Sequence, residues 1–324
     1  MVGCGTTTFT EPGDCRLNAL GVRVNLVLTA CTKFKARVTW AHLGRLTLVR
    51  CNNSVAHVAF LAFTPKSLFI SLPIRRDPPA IWAGVEMLQR DIVQHSLGER
   101  FHQRARGASR WGLISVSAED LADYGWTIAR LRLKPPPAAK FLRPHSKAIS
   151  NLLRLHGQAC RLVETDGDLI AHPEVARALE QELLHALVTC LTGEEAHRNT
   201  GTRRHRAEIM AKFEEVLASH ELARCAVPEL VAAVGVPERN LRLYCSQFLG
   251  MSPGRYARLR RLHLVRAALR RADTATASVG SIARQYGFSE LGRFAVLYRL
   301  AFGEKPSTSL RGFRSAALAF SEFA

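Results

Sequence analysis

Two copies of one short helical pattern in the last third of the chain constrain its fold most. The first runs Leu230-Val231-Ala232-Ala233-Val234-Gly235-Val236-Pro237 and continues to Leu241, Cys245, Gly250 and Pro253. The second runs Ile282-Ala283-Arg284-Gln285-Tyr286-Gly287-Phe288-Ser289 and continues to Phe294, Tyr298, Gly303 and Pro306. Each copy predicts an apolar helix, a turn through a glycine free to take positive φ, and a second helix with inward residues at i and i+4. That arrangement is a helix-turn-helix, whose second helix can enter a DNA major groove. A single copy is a common accident, whereas two at matched spacing, each closing on Gly-x-x-Pro, are not. Between them Pro253–Ala272 predicts one continuous helix with the apolar line Leu259, Leu262, Val265 and Leu269. It also carries Arg255, Arg258, Arg260, Arg261, Arg266, Arg270 and Arg271 with no acid among them.

The charge balance agrees with this reading. The chain of 324 residues has a formal net charge of +18, of which +10 falls within residues 203–324 (20 Lys/Arg against 10 Asp/Glu). Such an excess points to a polyanionic partner, double-stranded DNA first. No apolar run is long enough to span a bilayer, and no leader pattern opens the chain, so no membrane role and a cytoplasmic, nucleoid-associated location are expected. The eight cysteines are scattered without a C-x-x-C pair and are expected to be reduced.

The first half reads as short strands: Val22–Leu28, Lys35–Arg50, Ala56–Phe63, Leu68–Leu72, Ile81–Val85, Asp91–His95 and Trp111–Val116, divided by turn signals. After Pro135-Pro136-Pro137, Ser146–Glu164 and Pro173–Leu191 carry helical apolar stripes that can cover the β-domain or meet a second copy. The turn Thr165-Asp166-Gly167-Asp168 sets them antiparallel. The expected fold class is α+β, with a β-rich barrel or sandwich at residues 1–135 and a helical hairpin at 136–195. A linker at 196–204 then leads to an all-α DNA-binding domain at 205–324.

The residues Pro253–Leu262 (PGRYARLRRL), Ile282–Ser289 (IARQYGFS) and Phe302–Pro306 (FGEKP) closely resemble the DNA-binding domain of the AraC/XylS family of regulators. The resemblance implies seven helices and a transcription regulator, not an enzyme. It also implies an N-terminal cupin-like sensor domain for a small-molecule effector, a homodimer, and contact with RNA polymerase. By the same resemblance Arg239, Arg242 and Leu243 of the first unit and Leu291 of the second lie at the bases; Glu238, outward by its spacing, and Glu290 and Arg293, polar residues near the interface, are expected beside them. From residue type and position, Arg255, Arg258, Ser289 and Arg299 are expected at phosphates. Arginine forks suit guanine O6 and N7, so Arg239 and Arg242 are the expected base readers. The apolar Leu291, Gly292, Ala295 and Val296 suggest that the second unit supplies affinity more than specificity. Ser289 is expected to cap its helix.

His95, Glu99 and His102 raise the question of a metal, but their spacing departs from the His-x-His…Glu pattern of metal cupins, and no cofactor is expected. Trp82, Trp111, Trp126, Phe60, Phe69 and Phe101 could line a ligand cavity or form plain core. A cupin oxygenase would need a full ligand set, a repair methyltransferase a cysteine metal cluster. An architectural DNA binder would lack sequence preference.

Overall fold

The structure is a computed structural model that describes residues 2–15, 17–74, 79–196, 201–219 and 227–311. Thirteen short strands form two antiparallel sheets among the described residues. The larger has the order β1-β3-β4-β11-β6-β9-β12-β13: Val2–Phe9, Ala36–Leu43, Leu46–Asn53, Ser109–Val116, Leu68–Pro73, Ile92–Gln94, Lys140–Pro144 and Glu194–Ala196. The smaller has the order β2-β5-β10-β7-β8: Val22–Leu28, His57–Phe63, Arg100–Ala105, Ile81–Trp82 and Val85–Glu86.

The period of two explains why both faces of the large sheet are apolar. Val49, Cys51, Trp111 and Leu113 face the small sheet and form a sandwich core with Ala59, Leu61, Phe63, Phe69 and Phe101. Their neighbours Leu46, Leu48, Ile114 and Val116 face the other way. There they meet helices α2 (Ser146–Thr165) and α4 (Pro173–Thr192), which contribute Ile149, Leu152, Leu183, Leu184 and Leu187. The stripes of the hairpin are therefore spent on the sheet.

Four local features differ from the sequence expectation. Lys35–Arg50 is not one strand but two, β3 and β4, joined at Gly44-Arg45, where Glu180 accepts from the Arg45 amide at 2.7 Å. Helix α1 (Ala118–Ala129) follows β11 and was not anticipated, although Ser117 caps it by accepting from the Asp120 amide. A short helix α3 (Gly167–Ala171) occupies the expected turn between α2 and α4. Helix α5 (Gly201–Ala218) begins inside the stretch read as linker.

Seven helices, α5 to α11, make up the C-terminal part among the described residues: α5, α6 (Val227–Val234), α7 (Glu238–Leu249), α8 (Pro253–Arg271), α9 (Val279–Gln285), α10 (Leu291–Phe302) and α11 (Pro306–Arg311). Gly235 and Gly287 sit in the two turns with φ of +79° and +81°, where a side chain would be strained. Leu241, Cys245 and Phe248 of α7, and Phe294 and Tyr298 of α10, are buried as their spacing requires.

Candidate nucleic-acid interface

Each turn fixes the helix that follows it, and both second helices leave one long side in solvent. On α7, Glu238, Arg239, Arg242 and Leu243 are all exposed. On and before α10, Ser289, Glu290, Arg293 and Arg299 are exposed, while Leu291 is half-buried against the core of its own unit. Arg255 and Arg258 are exposed near the start of α8.

Helix α8 sorts its arginines by partner. Arg260 lies 3.2 Å from Glu214, Arg266 bridges Glu11 and Glu304, and Arg270 pairs with Glu11 at 3.0 Å. Arg261 stacks over the Phe288 ring at 5.4 Å. Arg255, Arg258 and Arg271 are left exposed, so the number of α8 charges turned to solvent is smaller than the sequence alone suggests.

The two arginines expected to read bases are not equivalent. Arg242 donates to Glu238 Oε1 from Nε at 2.8 Å and from Nη2 at 2.6 Å, a fork already engaged one helical turn back. Reaching a guanine would require Arg242 to leave that carboxylate. Arg239 is exposed on the same side.

The helix starts also differ from expectation. Pro237 precedes α7 and caps nothing. Ser289 is not the cap of α10: the helix begins at Leu291, so Glu290 takes the N-cap place, without a side-chain bond. The supporting helices are capped, α8 by Ser252 and α9 by the reciprocal Ser278–Ser281 box. At the other end of α10 the Phe302–Pro306 motif has a clear structural use. Glu304 accepts from Ser309 at 2.7 Å, Ser309 is bonded to the Tyr298 hydroxyl at 2.6 Å, and Pro306 opens α11.

In the sandwich, His95, Glu99 and His102 separate. His95 joins Ser71 at 2.8 Å through Nε2 and Glu99 at 3.1 Å through Nδ1, wedged between Phe63 and Phe101. Glu99 also accepts from the Ser96 amide at 3.0 Å, closing the turn between β9 and β10. Ser71 and His95 of this chain are buried, and Glu99, partly buried, ties it to the turn. His102 faces outward to Glu214 instead. No group of three potential metal ligands occurs among the described residues. Phe60, Phe69, Phe101, Trp82 and Trp111 are core, whereas Trp126 stands 49% exposed on α1 and lines no interior space. The gap between the sheets, bounded by Cys51, Gln103 and Trp111, is about 10 Å³, room for roughly one water.

One cluster escaped the sequence reading. Glu214 of α5, buried, accepts from His102 and from the Tyr256 hydroxyl and faces Arg260. Burial alone would raise its carboxyl, yet the bonds from His102 and Tyr256 and the charges of His102 and Arg260 hold it below the ordinary value. No local spacing announces a contact between β10 and a helix more than a hundred residues later.

Comparison with known proteins agrees with this geometry. A helix-turn-helix domain family model matches residues 230–312. The probable thc operon regulatory protein of Rhodococcus erythropolis is 30% identical over 143 residues, 44% of this chain and 43% of that protein. The XylDLEGF operon transcriptional activator of Pseudomonas putida is 44% identical over 73 residues, 22% of this chain and 23% of that protein. The chain thus spans less than half the length of these curated relatives. Among solved structures, the AraC-like activator CuxR aligns over 87% of this chain and 100% of its own, at 15% identity and a TM-score of 0.41. A probable AraC family regulator from Rhodopseudomonas palustris aligns over 33% of this chain and 97% of its own, at 31% identity and a TM-score of 0.30. Residues 230–312 of the chain are thus a helix-turn-helix domain, similar in sequence to that part of the Pseudomonas putida transcriptional activator.

Proposed function

We propose that the protein is a sequence-specific, DNA-binding transcription regulator. The observation that carries this reading is the pair of exposed helix faces on α7 and α10, joined by one unbroken helix whose free arginines, Arg255 and Arg258, share their exposure. Arg239 and Arg242 are assigned to base edges, with Glu238, Leu243, Glu290, Leu291 and Arg293 beside them in the grooves. Arg255, Arg258, Ser289 and Arg299 are assigned to phosphates. The sandwich, cupin-like in this reading, takes a small-molecule effector, two copies associate, and RNA polymerase is the downstream partner. The exposed rims of α2 and α4, with Asn151, Arg154 and Thr189 along a groove, are the surface assigned to the second copy.

The test is mapping of genomic binding sites, followed by titration on the strongest site and on random DNA of equal length. Affinity should fall about a thousand-fold or more between about 50 and 200 mM salt, through release of counterions. Equal affinity for both DNAs would replace this reading with that of an architectural binder, and a flat salt response would remove the phosphate contacts.

The two reading heads separate by mutation. Arg239→Ala should cost about 1–3 kcal/mol on the mapped site and much less on random DNA. Arg242→Ala should cost less than Arg239→Ala, because the wild-type fork must first leave Glu238. Arg299→Ala should weaken both DNAs by similar factors. Uniform loss on both DNAs for all three variants would sink the assignment of specificity to the first unit.

A further inference from the structure

Strand β10 works on two sides. Phe101 and Gln103 point between the sheets, while Arg100, His102 and Arg104 alternate onto the outer face. That outer face meets the first helix-turn-helix unit at three successive places. Arg100 pairs with Glu215, His102 Nε2 lies 3.0 Å from Glu214 Oε1, and Arg104 reaches the α7 terminus at Gly250. Next to them Gly84, at φ +77°, lets Phe248 approach so closely that a Cβ there would lie 2.7 Å from the ring. The apolar core follows the same path. Phe213, Leu241, Phe248 and Tyr256 of the first unit belong to one continuous cluster with Trp82 and Phe101 of the sandwich.

The second unit is built differently. Its core, including Leu262, Val265, Ile282, Phe294 and Tyr298 with Leu310 packed against it, comes from α8 to α11 and holds no residue of the sandwich. The sandwich reaches this end of the molecule through polar contacts: the ion pairs of Glu11 with Arg266 and Arg270, and the Leu28 amide, which donates to His263 Nε2 at 3.0 Å, with Cys31 beside Gly303.

We propose that the sandwich controls the first reading unit alone, through the His102–Glu214 contact on β10, and that the second unit is a constitutive DNA anchor. This rests on the DNA-binding reading above. Without His102, Glu214 keeps a buried negative charge short of one donor, and the first unit loses the surface that completes its core. The second unit keeps every apolar contact it has.

The experiment is amide hydrogen exchange on the full chain, with footprinting on the strongest mapped DNA site. His102→Ala should speed exchange in α5 to α7 by about ten-fold or more while α9 to α11 stay within about two-fold of wild type. The footprint should shrink at the end bound by the first unit, with protection retained at the other. His102→Gln, whose amide can donate to Glu214, should restore both. Should His102→Ala fail to fold, Glu214→Gln is expected to give the same pattern at smaller amplitude. Equal acceleration in α9 to α11, or none in α5 to α7, would overturn the proposal. If the wild-type chain bound no DNA, the functional reading and the anchor role would fail, while the exchange pattern would still decide whether His102 couples the sandwich to the first unit alone.

Discussion

Leu262→Pro should abolish tight binding to the full DNA site while leaving weak binding to each half. Leu262 sits in the middle of α8, buried with Val265 and Leu269 against the second unit. Proline there removes a backbone hydrogen bond and clashes with the preceding turn, a cost of about 3 kcal/mol or more, to which the lost leucine packing adds. The larger consequence is geometric. Helix α8 is the covalent link that sets the spacing between the two units, so in the proposed complex a kink misplaces one unit whenever the other is seated. Arg258→Ala is the appropriate control, since Arg258 is exposed and its loss removes one charge from an intact helix. Arg261 is a poorer choice because its stacking on Phe288 also supports the second unit. The pair is compared by circular dichroism and by affinity for full-length against half-length sites. Retained full-site affinity in a Leu262→Pro protein with reduced helicity would show that the heads act independently.

Acid should destabilise the sandwich through His156. This residue of α2 is wholly buried beneath Gly112, and its Nε2 donates to the Val49 carbonyl at 3.0 Å. Burial is the main cause that lowers its pKa to about 4, with Arg50 adding to the effect and the bond to Val49 opposing it. The unfolded chain takes up the proton near 6.5 and the folded protein only near 4. The neutral ring thus contributes its full share of stability above pH 6.5, and that share is lost as pH falls from 6.5 towards 4. Integrated over that window the loss is about 3 kcal/mol. Denaturant titrations at several pH values, on wild type and His156→Gln, read it directly. The variant is expected to be less stable at neutral pH but to show a shallower decline below it. Identical slopes in the two proteins would mean that His156 does not titrate as buried.

The two helix-turn-helix units were legible because everything that defines them is local. Glycine at a fixed offset, buried residues at i and i+4, and proline at the start of α8 all act within one or two helical turns. The outward positions of Glu238, Arg239, Arg242 and Leu243 followed from the inward ones. Most strands were legible for the same reason, through β-branched runs between turn residues. What escaped needs partners distant in sequence. Val2–Phe9, rich in glycine and threonine, is a strand because β3 pairs with all eight of its residues. Glu214 looks like one more charged residue on a polar helix until β10 places His102 against it. Likewise the Arg242 fork reads as free in sequence, although Glu238 at i−4 was a signal that a salt bridge was available. Helix α1 had its own signal in Ser117 followed by Glu119 and Asp120.

The division of the core between the two units also bears on how the chain is made. Translation proceeds at about 5–20 residues per second, and N-terminal domains close while the rest is still on the ribosome. The strands of the sandwich precede α5, so its outer face around β10 and Gly84 would be complete before the first unit emerges. That unit would then assemble against a ready template, with Phe248 and Tyr256 covered as soon as they are synthesised. The second unit follows with a core drawn from one short stretch of chain and requires no template. Moving the helical part ahead of the sandwich would expose the apolar side of α5 and α7 throughout synthesis, and such a rearranged gene should give more aggregated protein from the same set of final contacts.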